Sequence, residues 1–309
     1  MATVQAAGTK ETPRRRRRRG TARVNLGLIS VPMLWLVLFF LIPVVLVALY
    51  SVGAGITLIK YDRFMSLELW RYFLHSDTYL GSPLGRGLFW KSMKMSFGVS
   101  ITCVLLAYPV AYMLALVAGR RKYTLLLVII TPFLTSYLLR VLAWRVLLNP
   151  RGVIQESLRG LGLLHADGQI SWLYNSTFAV YLVLAYAWVP FVALPIFVSL
   201  ESLDLQMLEA SSDLGASRWT TFWKVTLPMS MPGVIAAFVF VFIPTIGEYV
   251  TPQIVGGPGG YLFGNVIQSS FAASFDWQLG SAMSVFLLVT VAILLTIFGR
   301  YLNVRTVAE

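Results

Sequence analysis

Cysteine, histidine and acidic residues are all scarce in this 309-residue chain: one Cys, two His, and 13 Asp plus Glu. A lone cysteine, Cys103, excludes an intrachain disulfide. His75 and His165 lie far apart with no Cys or further His beside them, so no metal-ligand spacing is present. Clustered His, Asp or Glu at a membrane interface is missing as well, which argues against a membrane-embedded enzyme. Charged residues amount to 12%, about half of the roughly 25% found in soluble domains. The phosphate-loop pattern G-x-x-x-x-G-K-[ST] does not occur, so ATP binding of that kind is excluded on this chain.

What the chain has is apolar. Hydrophobic residues make up 57% and mean hydropathy is +0.74, the composition of a polytopic membrane protein. A spanning helix needs about 20 apolar residues. Charge-free runs give six candidates: Leu28–Tyr50, Ser96–Gly119, Tyr123–Leu139 extending toward Leu148, Thr177–Leu200, Val225–Gly247 and Trp277–Gly299. The first is too long for a signal-peptide core of about 7–15 residues and is expected to be retained. Prolines 32, 43, 109, 132, 190, 195 and 244 fall within these segments. In a membrane, neighbouring helices satisfy the carbonyls that proline frees. The expected fold is therefore all-α, with about six bent spans around a cavity.

Basic residues set the orientation. Arg14–Arg19 and Arg23 precede span one, Arg120, Arg121 and Lys122 join spans two and three, Arg218 and Lys224 lie between four and five, and Arg300 and Arg305 follow six. All fall on one side, the expected cytoplasm, which places both termini inside. Lys60, Arg63, Arg71, Arg86, Lys91 and Lys94 dilute the signal, and Lys91 and Lys94 beside span two run against it. Net charge is +12, half of it from Arg14–Arg19. With an apolar span starting soon after, residues 1–25 read as a disordered cytoplasmic tail touching anionic lipid, not as a nucleic-acid arm.

Between spans four and five lies a polar interruption, "EASSDLGASRWTTFWKVTLP", Glu209–Pro228. Ser202 or Asp204 caps a helix over Leu205–Leu214, and Gly215 suits the left-handed turn that ends it. Ser217 caps a second helix, which Pro228 and Pro232 should break before span five. Glu209 and Asp213, four residues apart, repel on one face, and Trp219, Phe222 and Trp223 are large apolar groups in a wet loop. A partner in helix-in-groove fashion would relieve both; an interfacial amphipathic helix is the alternative.

This stretch resembles the hallmark loop of ABC importer permeases of the binding-protein-dependent type, Glu-Ala-Ala, three residues, Gly, nine residues, Ile, one residue, Leu-Pro. Here it reads Glu209-Ala210-Ser211, Gly215, Val225 and Leu227-Pro228, with Ser211 and Val225 as the departures. The resemblance implies a transmembrane domain over 26–305 with a coupling loop at 201–231. Glu209 and Gly215 would pass on nucleotide-driven closure, while Ala210, Ser211 and Leu214 would pack on an ATPase. Asp213, Leu227 and Pro228 complete the coupling set. Thr131–Gln155, Phe242–Pro258 and Gly264–Ser284 extend the likeness to spermidine/putrescine permeases, and Gly247–Val250 brings it nearest the putrescine type. Implied partners are a cytoplasmic ABC ATPase dimer carrying ATP and magnesium, a second permease as a different chain, a periplasmic solute-binding protein and membrane lipid. No cofactor is expected on this chain.

For the solute path, Glu248 is a carboxylate near the outer end of span five, and such groups usually face the bundle interior or water. Tyr249, Trp188 and Tyr186 are candidates to face the same cavity and offer cation–π contacts. The alternative for Glu248 is an interfacial carboxylate paired with a loop arginine. Arg140 and Arg145 either snorkel outward or meet the binding protein. The functional expectation is a polyamine importer permease in the bacterial inner membrane, working by alternating access. An opine or amino-acid-like solute, or a partner-independent carrier, are the other readings.

Overall fold

The computed structural model describes residues 30–53, Trp70, Phe73, 83–165 and 168–303. Among these every regular element is helical. The Arg14–Arg19 tail, Lys60, Arg63, Arg71, His75, Asp167 and Arg305 lie outside the described residues, as does the Arg86 side chain.

Among the described residues five helices are long and apolar enough to cross a membrane: α1 (Ser30–Ser51), α2 (Gly87–Val117), α6 (Thr177–Glu201), α8 (Arg218–Ile246) and α10 (Trp277–Arg300). A bent pair is apolar enough to make a sixth if it is one span. Helix α3 (Gly119–Leu134) meets the arm Tyr137–Gly160 at 77°. That arm is made of α4 (Tyr137–Leu148) and α5 (Val153–Gly160). The surface helix α7 (Leu205–Asp213) lies between α6 and α8, and α9 (Phe263–Ala272) precedes α10.

Helices α2, α6 and α8 pack on one another and carry the core: Val99, Cys103, Ala107, Val183, Leu184, Ala237 and Val241 are all buried. Lipid tails are as apolar as these side chains, so association depends on close approach of backbones. Gly233 of α8 supplies it, because a Cβ there would fall 2.3 Å from Ser199 Cβ and 2.7 Å from the Pro195 carbonyl. A buried Tyr108 hydroxyl meets Ser230 Oγ at 2.9 Å and ties α2 to α8. Helix α1 packs on α10 and leaves most of its surface to lipid.

Two boundaries differ from those expected from the sequence. Span two begins by Gly87, not Ser96, so Lys91 and Lys94 are helical residues and not loop charges. Lys91 Nζ donates to the Gly259 carbonyl at 2.5 Å, which gives this helical cation a partner. The second correction concerns Pro228 and Pro232, which do not break the chain before span five. The helix runs on from Arg218 through a π turn at Phe222–Thr226. That turn ends before Pro228, which then sits in the first turn of the next α-helical stretch, where a missing N–H costs least.

Candidate functional site

The loop expected on the inner side is assembled from local rules. Asp204 Oδ1 accepts the Gln206 N–H at 2.9 Å and caps α7. Gly215 adopts φ +79°, the left-handed turn that closes the helix. Ser217 Oγ then accepts the Thr220 N–H at 3.2 Å and starts α8. Glu209, Ala210, Asp213 and Gly215 are exposed, and Leu214 is 89% exposed. Neither Glu209 nor Asp213 makes a hydrogen bond or ion pair among the described residues. Leu205, Met207, Trp219 and Trp223 are also exposed, so acids and apolar groups face outward on one loop.

Ser211 sits differently from its neighbours. It is half-buried and its hydroxyl meets Thr221 Oγ1 at 2.8 Å, so it joins α7 to α8 instead of standing on the outer surface. Leu227 and Pro228 are half-buried at the root of the loop, Leu227 against the core. Two further contacts anchor that root to the spans. Phe222 lies edge-on to Tyr108 (5.8 Å) and Tyr112 (6.1 Å) of α2. Glu201 Oε1 takes both Lys122 Nζ (2.6 Å) and the Tyr123 hydroxyl (2.5 Å) from the start of α3.

The outer candidates centre on two backbone breaks. Helix α3 ends at Leu134 and the chain is extended at Thr135 and Ser136 before α4. Helix α8 ends at Ile246, and the helical turns Pro252–Gly256 and Gly257–Gly260 follow. Non-helical backbone at membrane depth is tolerated only inside protein or beside a water-filled cavity. The polar groups at the second break are satisfied locally. Glu248 Oε1 accepts the N–H groups of Val250 (2.9 Å) and Thr251 (3.0 Å), and Asn265 Nδ2 donates to the Tyr249 carbonyl at 2.9 Å. Gly264 lets α9 lie against this turn, since a Cβ there would be 2.5 Å from the Gly247 oxygen.

The two breaks touch. Tyr137, at the start of α4, meets Thr251 Oγ1 through its hydroxyl at 2.5 Å and faces the Glu248 carboxylate. The Arg140 guanidinium lies 5.9 Å from the Tyr137 ring and 5.5 Å from the Phe133 ring. Phe133 and Trp144 each lie 5.2 Å from Tyr186. A continuous set thus runs from Glu248 through Tyr137, Arg140 and Phe133 to Tyr186.

Of the four candidates expected on one cavity, only Glu248 and Tyr186 belong to this set. Trp188, two residues along α6 from Tyr186 and so about 200° round the helix, packs on Phe240 at 5.9 Å. Tyr249 turns the other way and lines an open apolar cavity of about 770 Å³ with Ile243, Gln268 and Leu287. Arg140 does not snorkel, because its Nε and Nη1 are buried. Tyr137, Phe133, Trp144 and Thr251 went unread in the sequence. The signal that marks them is a proline followed by Thr135-Ser136 inside an apolar run. Asp276 caps α10 by accepting the Leu279 N–H at 3.0 Å. Among the described residues no three His, Cys, Asp or Glu side chains cluster as metal ligands.

Residues 107–307 match the family described as binding-protein-dependent transport system inner membrane component. The spermidine/putrescine transport system permease protein PotB of Haemophilus influenzae is 33% identical over 272 residues, covering 88% of this chain and 92% of that protein. PotB of Escherichia coli is 32% identical, covering 86% and 93%. The inner membrane ABC transporter permease protein YdcU of Escherichia coli is 31% identical, covering 87% and 90%. Among solved structures, a chain of a bacterial alginate ABC transporter in complex with its pentasaccharide-bound periplasmic protein superposes with a TM-score of 0.71 at 14% identity, over 93% of this chain and 96% of that one. A chain of the inward-facing MetNI methionine ABC transporter gives 0.52 at 17% identity, over 70% and 94%. These two share the fold.

Proposed function

The chain belongs to the binding-protein-dependent transport inner membrane components, and from that membership we propose that its solute is a polyamine. It is a multi-pass inner-membrane permease subunit of an ABC importer, without a catalytic site of its own. The observation that carries the polyamine reading is Glu248, a carboxylate set at a break in a spanning segment and linked to an aromatic set. Two helix C-termini, of α3 and α8, end at the same breaks and add partial negative charge there. An ammonium group suits such a place: the carboxylate neutralises it and the rings of Tyr137 and Tyr186 offer cation–π contact. The names carried by the PotB relatives point the same way.

In this reading the chain is one half of the path, and a second permease of different sequence supplies the other. A periplasmic binding protein delivers solute outside. A cytoplasmic ATPase dimer, which holds ATP and magnesium, grips the loop at 201–231. Glu209, Asp213 and Leu214 face that ATPase, Gly215 shapes the loop, and Ser211 with Leu227 and Pro228 holds it to the spans. Residues 26–305 form the transmembrane domain, residues 1–25 an inner tail on anionic lipid, and both termini lie in the cytoplasm. An opine or amino-acid-like solute is the second reading, favoured by Arg140, whose guanidinium would hold a carboxylate.

The test is uptake of radiolabelled putrescine and spermidine by cells expressing the chain with its partner subunits. Saturable, ATP-dependent uptake, undisturbed by amino acids in excess, is the expected result. Uptake of an amino-acid-like solute with no polyamine uptake would overturn the substrate, and uptake by this chain alone without ATP would overturn the coupling role.

A further inference from the structure

A guanidinium beside a cation path needs a reason. Arg140 supplies the guanidinium, with N–H donors only and no acceptor of its own. Its Nε and Nη1 are both buried with no acceptor among the described residues. The Phe133 and Tyr137 faces compensate part of that charge, but a buried cation without a hydrogen-bonded counter-ion remains costly. The nearest candidate is within the same set. Tyr137 meets the Arg140 guanidinium with its ring and Thr251 with its hydroxyl, beside the Glu248 carboxylate. Glu248 Oε1 accepts two backbone N–H groups, and the Tyr137 hydroxyl interacts with the same carboxylate. A single tyrosine therefore links a cation short of acceptors to a carboxylate.

The two groups also sit beside breaks in different spans. Arg140 rides on the arm that departs from α3 at 77°, just after the extended residues Thr135 and Ser136. Glu248 lies in the turn after α8. Element ends of this kind absorb the backbone rotations of a hinge.

We infer that Arg140 is the release charge of the outer site: when the arm swings on Thr135–Ser136, its guanidinium reaches Glu248 and displaces the solute's ammonium. The inference rests on Glu248 being the solute contact. An ammonium held by a carboxylate away from bulk water is bound strongly, so an importer that used Glu248 alone would load well and unload slowly. A second cation, held off by Tyr137 in one state and delivered in the other, makes the carboxylate strong for loading and neutral for release.

The experiment measures KM and maximal rate of radiolabelled putrescine uptake in cells carrying the whole importer. The variants are Arg140→Gln, Arg140→Lys, Glu248→Gln and the double variant Arg140→Gln/Glu248→Gln, each checked for membrane level by immunoblot. Arg140→Gln is expected to lower the maximal rate roughly tenfold with KM unchanged or lower, the mark of an interaction needed after loading. Arg140→Lys should recover most of that rate. In the Glu248→Gln background, removing Arg140 should change the rate by less than about twofold, because the two act as a pair.

A raised KM with an unchanged rate for Arg140→Gln would make the guanidinium a solute contact and overturn release. Independent effects of the two substitutions would overturn it too, while leaving Glu248 as the contact. An unchanged KM for Glu248→Gln would remove the solute contact and the inference together, and a wild-type importer that ignores putrescine would remove the polyamine reading first. Should Arg140→Gln not accumulate, Arg140→Met, which removes the charge and keeps an apolar side chain against Phe133 and Tyr137, is combined with Glu248→Gln in its place, and independence there overturns the pairing.

Discussion

At its inner end α8 begins in an exposed loop whose turns are set by side chains two or three residues apart. At its outer end it runs into a break held by partners far away in sequence. Asp204 caps Gln206 and Ser217 caps Thr220, whereas Tyr137 and Thr251 meet across 114 residues and Ser92 Oγ accepts the Phe263 N–H across 171. The inner loop can keep its shape while it moves with a partner, because its distant contacts, Phe222 on Tyr108 and Tyr112 and Glu201 on Lys122 and Tyr123, are confined to its root. The outer break has no such freedom. Its free backbone groups must find protein partners, since hydrocarbon offers none, so its geometry is a property of several spans at once. One end is a portable handle and the other a shared joint.

The largest predicted effect attacks the joint. Gly264→Val would set a branched side chain where a bare Cβ already falls 2.5 Å from the Gly247 oxygen and 2.7 Å from the Glu248 oxygen. Both obstacles are backbone, so α9 must lift off, at a cost of about 3 kcal/mol, the upper end of what overpacking typically brings. The Asn265 bond to the Tyr249 carbonyl is then lost. Uptake should fall by more than about tenfold, while ATPase co-purification with the tagged chain is kept. A variant that loses the ATPase but still assembles its outer site would reverse the contrast between the two ends.

Glu209→Ala attacks the handle alone. Its carboxylate is exposed and unpaired among the described residues, so folding should be indifferent, and the protein should insert at its usual level. If Glu209 couples as proposed, what is lost is a charge-assisted contact to the ATPase of about 1.5–3 kcal/mol, which corresponds to uptake lower by about tenfold or more. Uptake measured beside ATP hydrolysis in the same vesicles is the check. Normal ATP-dependent uptake by this variant would show that the loop's acids do not couple.

The contrast also explains what could be read in advance. The spans follow from about 20 apolar residues each, and the loop from a cap, a glycine and a fixed spacing, all local properties. Arg140 was expected to snorkel outward or meet the binding protein, because an apolar run does not show the 77° turn beside which Phe133 and Tyr137 lie against its guanidinium. Trp188 and Tyr186 were grouped by residue type, and helix geometry separates them. The continuation of α8 through Pro228 depends on a π turn at Phe222–Thr226, seated on Tyr108 and Tyr112 of another span. Only in the last of these cases did the missing information sit on another span.

The smallest effect tests how local the handle is. Ser217→Ala removes the side-chain oxygen that accepts the Thr220 N–H, a cap of about 1 kcal/mol. If the loop is set by neighbours alone, amide exchange should quicken by about fivefold at Arg218–Thr221 and hardly at all in the core of α8, because opening free energies are local. The Ser211–Thr221 contact should then be the next to loosen, since it joins α7 to that same turn. Hydrogen exchange on the assembled importer resolves both. Quickened exchange that spreads past Thr226 into α8 would mean that the π turn transmits the opening, and that the inner end is a joint after all.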